Sequence, residues 1–180
     1  MSGANGTQPG EKQSTAWLLI KLLIFTVLIP GTFGVYIPLW LAANRPPDFD
    51  LGGPRYLGLA PIAVGATFYF RCALDFVLKG RGTPAPIDAP KFLVTSNLYR
   101  MVRNPMYVGV VMVVAGEGLF LQSVAVLRYA ALGWFGFHLF VVLYEEPTLR
   151  AKFGAEYEEY CRRVPRWLPR MPSSTADSRG

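Results

Sequence analysis

Four apolar runs, set apart by polar or Pro/Gly-rich breaks, organise the chain. Residues 16–43 carry one charge, Lys21, and exceed the ~20 residues an α-helix needs to cross a bilayer. Pro30, Gly31, Gly34 and Pro38 interrupt this run, so a kinked or broken helix is expected, crossing once or forming a re-entrant pair. Lys21 lies near enough to the end to snorkel. A second run covers 56–78, a third and unusually short one 106–121, and a fourth 124–144, with Gln122–Ser123 as a tight turn joining the last two into a hairpin. Gly109, Gly116 and Gly118 in one arm of that hairpin, and Gly133 and Gly136 in the other, predict close backbone approach between the arms.

The polar stretches fill in the rest. Residues 1–15 and 171–180 read as disordered tails around a single domain, 16–170. Asn44 to Arg55 is a loop, with Pro and Gly on both sides of two aspartates. The connection from Lys79 to Asn104 opens with Gly80, Gly82, Pro84, Pro86 and Pro90, which exclude regular helix there. After Tyr144 the composition changes. Glu145–Glu146–Pro147 predicts the start of a new, polar helix to about Phe153, its carboxylates near the positive helix end. Gly154 breaks it, an amphipathic helix follows over 155–163, and Val164–Pro169 ends the arm, which occupies 145–170. The fold class is therefore all-α: a polytopic membrane helical bundle of about four transmembrane helices with a C-terminal amphipathic arm.

Composition agrees with this pattern. The chain has 180 residues, 52% of them hydrophobic and 17% charged, with a net charge of +6. Two cysteines and one histidine make no metal spacing, and no metal site is expected. No Lys/Arg run alternates with aromatics on a soluble scaffold, so the basic excess suits anionic lipid headgroups rather than nucleic acid. The positive-inside rule assigns Lys79, Arg81, Lys91, Arg100 and Arg103, with the basic C-terminal arm, to the cytoplasm, against Arg45, Arg55 and Arg128 opposite. Both termini are then cytoplasmic, in a bacterial inner membrane or an endoplasmic reticulum. A hairpin with so short a turn brings its two open ends to one face, so Arg100–Tyr107 and Glu145–Tyr160 should converge.

Arginine, tyrosines and a carboxylate pair beside lipid suit a zwitterionic or cationic ligand. Carboxylates bind an ammonium or ribose hydroxyls, arginine a carboxylate, and aromatic faces a sulfonium. S-adenosylmethionine presents all of these groups, and methyl transfer from it needs alignment and exclusion of water, not a metal or a triad. The alternative is a polar collar that only stabilises the hairpin. Three deeper features have two readings each. Arg71 and Asp75, on one helical face, are a neutralising pair or line the cavity. Glu117 and His138, placed at comparable depth on opposite arms, form an interhelical hydrogen bond or flank an acceptor channel and tune its nucleophile.

Gly82–Thr83–Pro84, Leu98–Tyr99–Arg100, Arg103–Asn104–Pro105–Met106–Tyr107–Val108–Gly109, then Glu145–Glu146, Leu149, Phe153–Gly154, Tyr157, Tyr160 and Arg163–Val164–Pro165–Arg166 together resemble the isoprenylcysteine carboxyl methyltransferase and phospholipid methyltransferase group of integral-membrane enzymes. The resemblance covers residues 80–170. It implies S-adenosylmethionine as cofactor, with Arg103, Asn104, Pro105, Tyr107 and Gly109 shaping one wall, Glu145 and Glu146 the polar end, and Tyr157 and Tyr160 completing the site. Asn104 stands where histidine is commoner and cannot titrate near neutrality, which removes a histidine base. An anionic acceptor, such as a prenylcysteine carboxylate or a thiolate, needs only charge positioning by Arg100 or Arg163. A phospholipid amine needs a base, for which Glu117, Glu145, Glu146 and His138 are the candidates; with asparagine in the histidine position an isoprenylcysteine-type carboxylate is the expected acceptor and a phospholipid amine the alternative. The expected partners are S-adenosylmethionine, a lipophilic methyl acceptor and membrane lipids. The rival of another class is a non-catalytic scaffold or transporter subunit, and no inverted repeat supports the transporter.

Overall fold

A computed structural model describes residues 15–43, 45–75, 77–78, 93 and 95–169. The expected tails and the Pro/Gly-rich first half of the long connection lie outside the described residues. Among the described residues every regular element is helical: α1 Thr15–Leu28, α2 Ile37–Ala43, α3 Leu59–Asp75, α4 Pro105–Phe120, α5 Val124–Phe140, α6 Glu146–Phe153 and α7 Ala155–Arg163. Three continuous helical stretches are long and apolar enough to cross a membrane, Ala16–Ala43, Gly53–Asp75 and Val124–Phe153, and α4 is a shorter apolar helix. The protein is a membrane helical bundle.

Two stretches contain the same device. A wide π turn at Thr32–Tyr36 ends with Ile37 N donating to Thr32 O, and Pro38 follows; a second at Val141–Glu145 ends with Glu146 N donating to Val141 O, and Pro147 follows. Proline in a helix lacks an N–H and clashes with the carbonyl one turn back. Widening the preceding turn relieves both problems without breaking the helix. The run 16–43 is thus one helix of 28 residues with a bulge, not a re-entrant pair. By the same means α5 continues into α6, and the expected helix start at Glu145 is corrected. The acidic pair sits inside a 30-residue helix, so no positive helix end is available to it.

Glycine placement needs a second correction. α3 packs on α4 more extensively than any other pair of helices meets. Gly58 and Gly65 on the second stretch face Gly116 and Gly109 of α4, so that a Cβ on Gly109 would lie 2.7 Å from Gly65 O and 3.0 Å from Phe68 Cβ. Gly109 and Gly116 therefore seal α4 against α3 and not against α5. In the hairpin itself only Gly118 makes the expected close approach, to Leu127. A Cβ on Gly133 or Gly136 would meet nothing within 4 Å.

The hairpin turn is capped by the loop before α3. Asp48 N donates to Gln122 O (2.9 Å), Val124 N donates to Asp48 Oδ2 (2.7 Å), and Leu51 N donates to Gln122 Oε1 (2.6 Å). Gln122 takes a positive φ of 55° to make this turn. Tyr129 OH donates to Phe33 O (2.9 Å), tying α5 to the first π turn. At the opposite end of the bundle the open ends of α4 and α5 meet the C-terminal arm.

Candidate active site

The segment before α4 reaches the arm through its backbone. Arg103 N donates to Pro165 O (2.9 Å) and Asn104 Nδ2 donates to Arg166 O (3.2 Å). Pro105 occupies the first turn of α4, where its missing N–H costs nothing, and its fully buried ring holds that corner. Gly154 (φ 52°, ψ −124°) sits in a backbone region closed to most side chains, and so turns α6 back into α7.

Glu146 is the hub. Its side chain is 3% exposed and engages three guanidiniums: Arg166 at 2.6 Å, Arg103 at 3.0 Å and Arg150 at 3.4 Å. A buried carboxylate survives in such a place only when paired and hydrogen-bonded. Arg150 also pairs with Glu158 at 2.7 Å, so Glu146 is held chiefly by Arg166 and Arg103. Hydrogen bonding to Glu146 raises the Arg166 guanidinium above its usual range. Arg103 also donates from Nη1 to Cys161 Sγ (2.8 Å), while its buried Nε has no partner among the described residues.

Glu145 has different surroundings. It accepts from Tyr107 OH at 2.9 Å, and the Tyr107 ring stacks on Phe137 of α5 at 4.7 Å between centroids. Tyr157 and Tyr160 are buried on the inner face of α7, where Tyr160 OH donates to Tyr99 O (2.7 Å). Burial raises the phenols of Tyr157, Tyr160 and Tyr99, all of which stay protonated donors at neutral pH.

Beside this corner lies an apolar cleft of about 970 Å³, between the first helix, α4 and α5. Phe25 and Phe33, Val110 and Val114, and Gly133 and Gly136 are among its walls, and Tyr107 lines it at the polar end. The absent side chains at Gly133 and Gly136 are what keep it wide.

The structure thus brings together Arg103, Asn104, Pro105, Tyr107, Glu145, Glu146, Tyr157 and Tyr160. It leaves out four expected residues. Gly109 is turned to α3. Arg163 is 71% exposed and pairs with Glu159 at 3.0 Å, because its position on α7 faces away from the buried tyrosines. Arg100 is exposed and has no ion pair among the described residues. Glu117 is buried near the hairpin turn, with Oε2 unpartnered among the described residues. His138 lies near the other end of the hairpin and accepts from Trp167 Nε1 (3.1 Å), so the two are at different depths and the expected Glu117–His138 bond is replaced by His138–Trp167. Asp75 accepts from Asn97 Nδ2 with both oxygens at 2.9 Å, and Arg71 is exposed one turn earlier. Arg166 stands in the motif that carries the resemblance, without a role assigned to it, and the i, i+4 spacing of Glu146 and Arg150 signals their pairing. Cys161 was missed, and nothing local marks it as a partner of Arg103.

A sequence profile of the phospholipid methyltransferase family matches residues 54–156. The chain is 35% identical over 115 residues to the cobalt-zinc-cadmium resistance protein CzcN of Cupriavidus metallidurans, covering 64% of this chain and 49% of that protein. It is 35% identical over 120 residues to a probable protein-S-isoprenylcysteine O-methyltransferase of Oryza sativa, covering 63% of this chain and 60% of the relative. With the nickel-cobalt-cadmium resistance protein NccN of Alcaligenes xylosoxydans it shares 30% over 162 residues, covering 90% of this chain and 67% of that protein. The matched part spans about half the length of CzcN. Among the described residues no three His, Cys, Asp or Glu side chains are grouped to hold a metal ion. The matched span holds the seal between α3 and α4, Arg103, Tyr107 and both glutamates, and with that the chain belongs to the phospholipid methyltransferase family.

Proposed function

We propose that this protein is an S-adenosylmethionine-dependent methyltransferase of the membrane, with the cofactor at the Arg103–Glu146 corner and a lipophilic acceptor in the apolar cleft. One observation carries the reading: Tyr107 belongs to both places. Its ring lines the cleft and its hydroxyl donates to Glu145 at 2.9 Å. A lipid tail in the cleft and a nucleotide at the corner would meet beside it.

The donor set fits such a cofactor. The orphaned Arg103 Nε suits a carboxylate, Glu145 suits an ammonium or hydroxyls, and the tyrosine rings suit a sulfonium. When bound, S-adenosylmethionine supplies an electrophilic methyl on a sulfonium that becomes a neutral thioether on transfer. Tyr107 and Phe137 close the cleft's polar end against water, and the arm residues Pro165 and Arg166 hold the segment before α4 in place. Alignment and dryness are the protein's contribution. The lysines and arginines in the sequence of the long connection and of the arm support a cytoplasmic position for this end and for both termini.

The acceptor has two readings. S-isoprenylcysteine O-methylation, the reaction in the rice relative's name, needs no base, because its carboxylate is already the nucleophile. An amine acceptor is favoured by the charge at the junction. The group that Tyr107 links to the cleft is a carboxylate, which would repel an anionic acceptor and attract an ammonium. Arg163, which would position an anion, faces away.

Calorimetric titration of the purified protein in detergent with S-adenosylmethionine tests the first step. Binding by wild type and its loss in Arg103→Ala is the expected result; unchanged affinity in that variant overturns the site. A screen of prenylcysteine carboxylates against aminophospholipids then separates the acceptors.

A further inference from the structure

The segment that leaves α7, Val164–Pro169, lies across the corner as a strap. Its first half is held by three contacts already described: Arg103 N to Pro165 O, Asn104 Nδ2 to Arg166 O, and the Arg166 side chain on Glu146. The next side chain, Trp167, reaches α5. Its Nε1–H donates to His138 Nδ1 at 3.1 Å, while Trp134 stacks on the imidazole at 5.7 Å and 26° and fixes its plane. Leu168, one residue further, is 79% exposed, so Trp167 is the last anchored side chain among the described residues.

We infer that the Trp167–His138 hydrogen bond is a clasp for the cofactor corner, and that both are positioning residues which act through Arg166. His138 and Glu146 lie eight residues apart on one continuous helix, about 12 Å along its axis. Arg166 and Trp167, neighbours in the chain, therefore grip that helix at two separated points. A single grip at Glu146 would leave the strap free to pivot about one side chain. The second grip fixes its direction, and with it the carbonyls that receive Arg103 N and Asn104 Nδ2. Indole N–H is a donor only, so the bond exists only while Nδ1 keeps its lone pair, with the imidazole proton on Nε2. Ring packing alone does not supply this direction, since a phenyl ring at 167 could pack against Trp134 and His138 in several orientations.

The inference rests on the cofactor reading for its first readout and is independent of it for the second. Affinity for S-adenosylmethionine is measured by calorimetry in detergent for wild type, Trp167→Phe, His138→Leu, the double variant and His138→Asn. The two single variants are expected to bind about two- to tenfold more weakly, the worth of one hydrogen bond. The double variant is expected to be no weaker than either, and His138→Asn, whose Oδ1 keeps an acceptor at the Nδ1 position, is expected to recover most of the loss. The second readout is hydrogen–deuterium exchange of the peptide containing Arg103, whose amide donates to Pro165 O. It should quicken in Trp167→Phe and His138→Leu but not in His138→Asn, without any ligand. Absence of binding by wild type would remove the cofactor reading and leave exchange to judge the clasp. Wild-type exchange in Trp167→Phe, or a His138→Asn variant as impaired as His138→Leu, overturns it.

Discussion

The two sides of the α4–α5 hairpin use glycine in opposite ways. Towards α3, Gly109 and Gly116 meet Gly65 and Gly58 so closely that the backbones themselves touch, and no other residue fits. Towards the first helix, Gly133 and Gly136 meet nothing, and the space they leave is part of the cleft. Small residues are the usual means of close helix packing in lipid, where the hydrophobic effect does not drive association. Here the same residue seals one side and opens the other. Rigidity on the sealed side gives the open side a fixed frame, and the polar corner sits where the two meet.

The largest effect should come from breaking the seal. Gly109→Leu would drive its side chain into the Gly65 backbone and the Phe68 side chain, and should cost about 3 kcal/mol or lose folded protein altogether, read from thermal unfolding in detergent. Comparable is Glu146→Ala, which strips the buried Arg103 and the partly buried Arg166 of their carboxylate while Arg150 keeps Glu158. Loss of one partner of a fully buried pair costs about 3–5 kcal/mol; with two of the arginines partly exposed, about 3 kcal/mol or less is expected here, and affinity for S-adenosylmethionine should fall with it. On the open side Gly133→Leu should not lower the unfolding temperature and should raise it by about 1–3 °C, because no atom lies in its way and leucine is the better helix former. Its effect should appear as roughly tenfold lower turnover of a long-chain acceptor, with cofactor binding unchanged. A drop in stability equal to that of Gly109→Leu would erase the contrast between the two sides. Gly136→Ala sharpens it further: this change should stabilise by about 0.5–1 kcal/mol through helix propensity and lower chain entropy, whereas Gly116→Ala should destabilise. Smallest of all is Arg163→Gln. An exposed, solvent-screened pair with Glu159 contributes little, so stability and cofactor affinity should both stay near wild type.

Much of this is legible in the amino-acid sequence. The apolar runs mark the spanning helices because a bilayer demands uninterrupted hydrophobic length. The convergence of Arg103 and Tyr107 with Glu145 and Glu146 follows from a tight turn at Gln122–Ser123, which returns α5 to the level where α4 began. Other features were not legible. Glu145 and Glu146 are neighbours of one residue type, yet Glu146 is held by three arginines and Glu145 by a tyrosine, because successive helical residues point about 100° apart and so meet different partners. Pro147 looked like a helix start, since proline is at home there; the π turn that lets α5 run on depends on packing that holds the wide turn in place.

The sequence by itself determined where the chain is apolar enough to span, where it turns, and which polar residues return to one end. Periodicity and length act within a segment, and they need no knowledge of what lies across from it. Only the tertiary structure decided which glycines close and which stay open, which glutamate is spent on arginines, and that Trp167 reaches His138. Those outcomes depend on the rotation and crossing of helices far apart in the chain, and that is set by all their side chains packing at once.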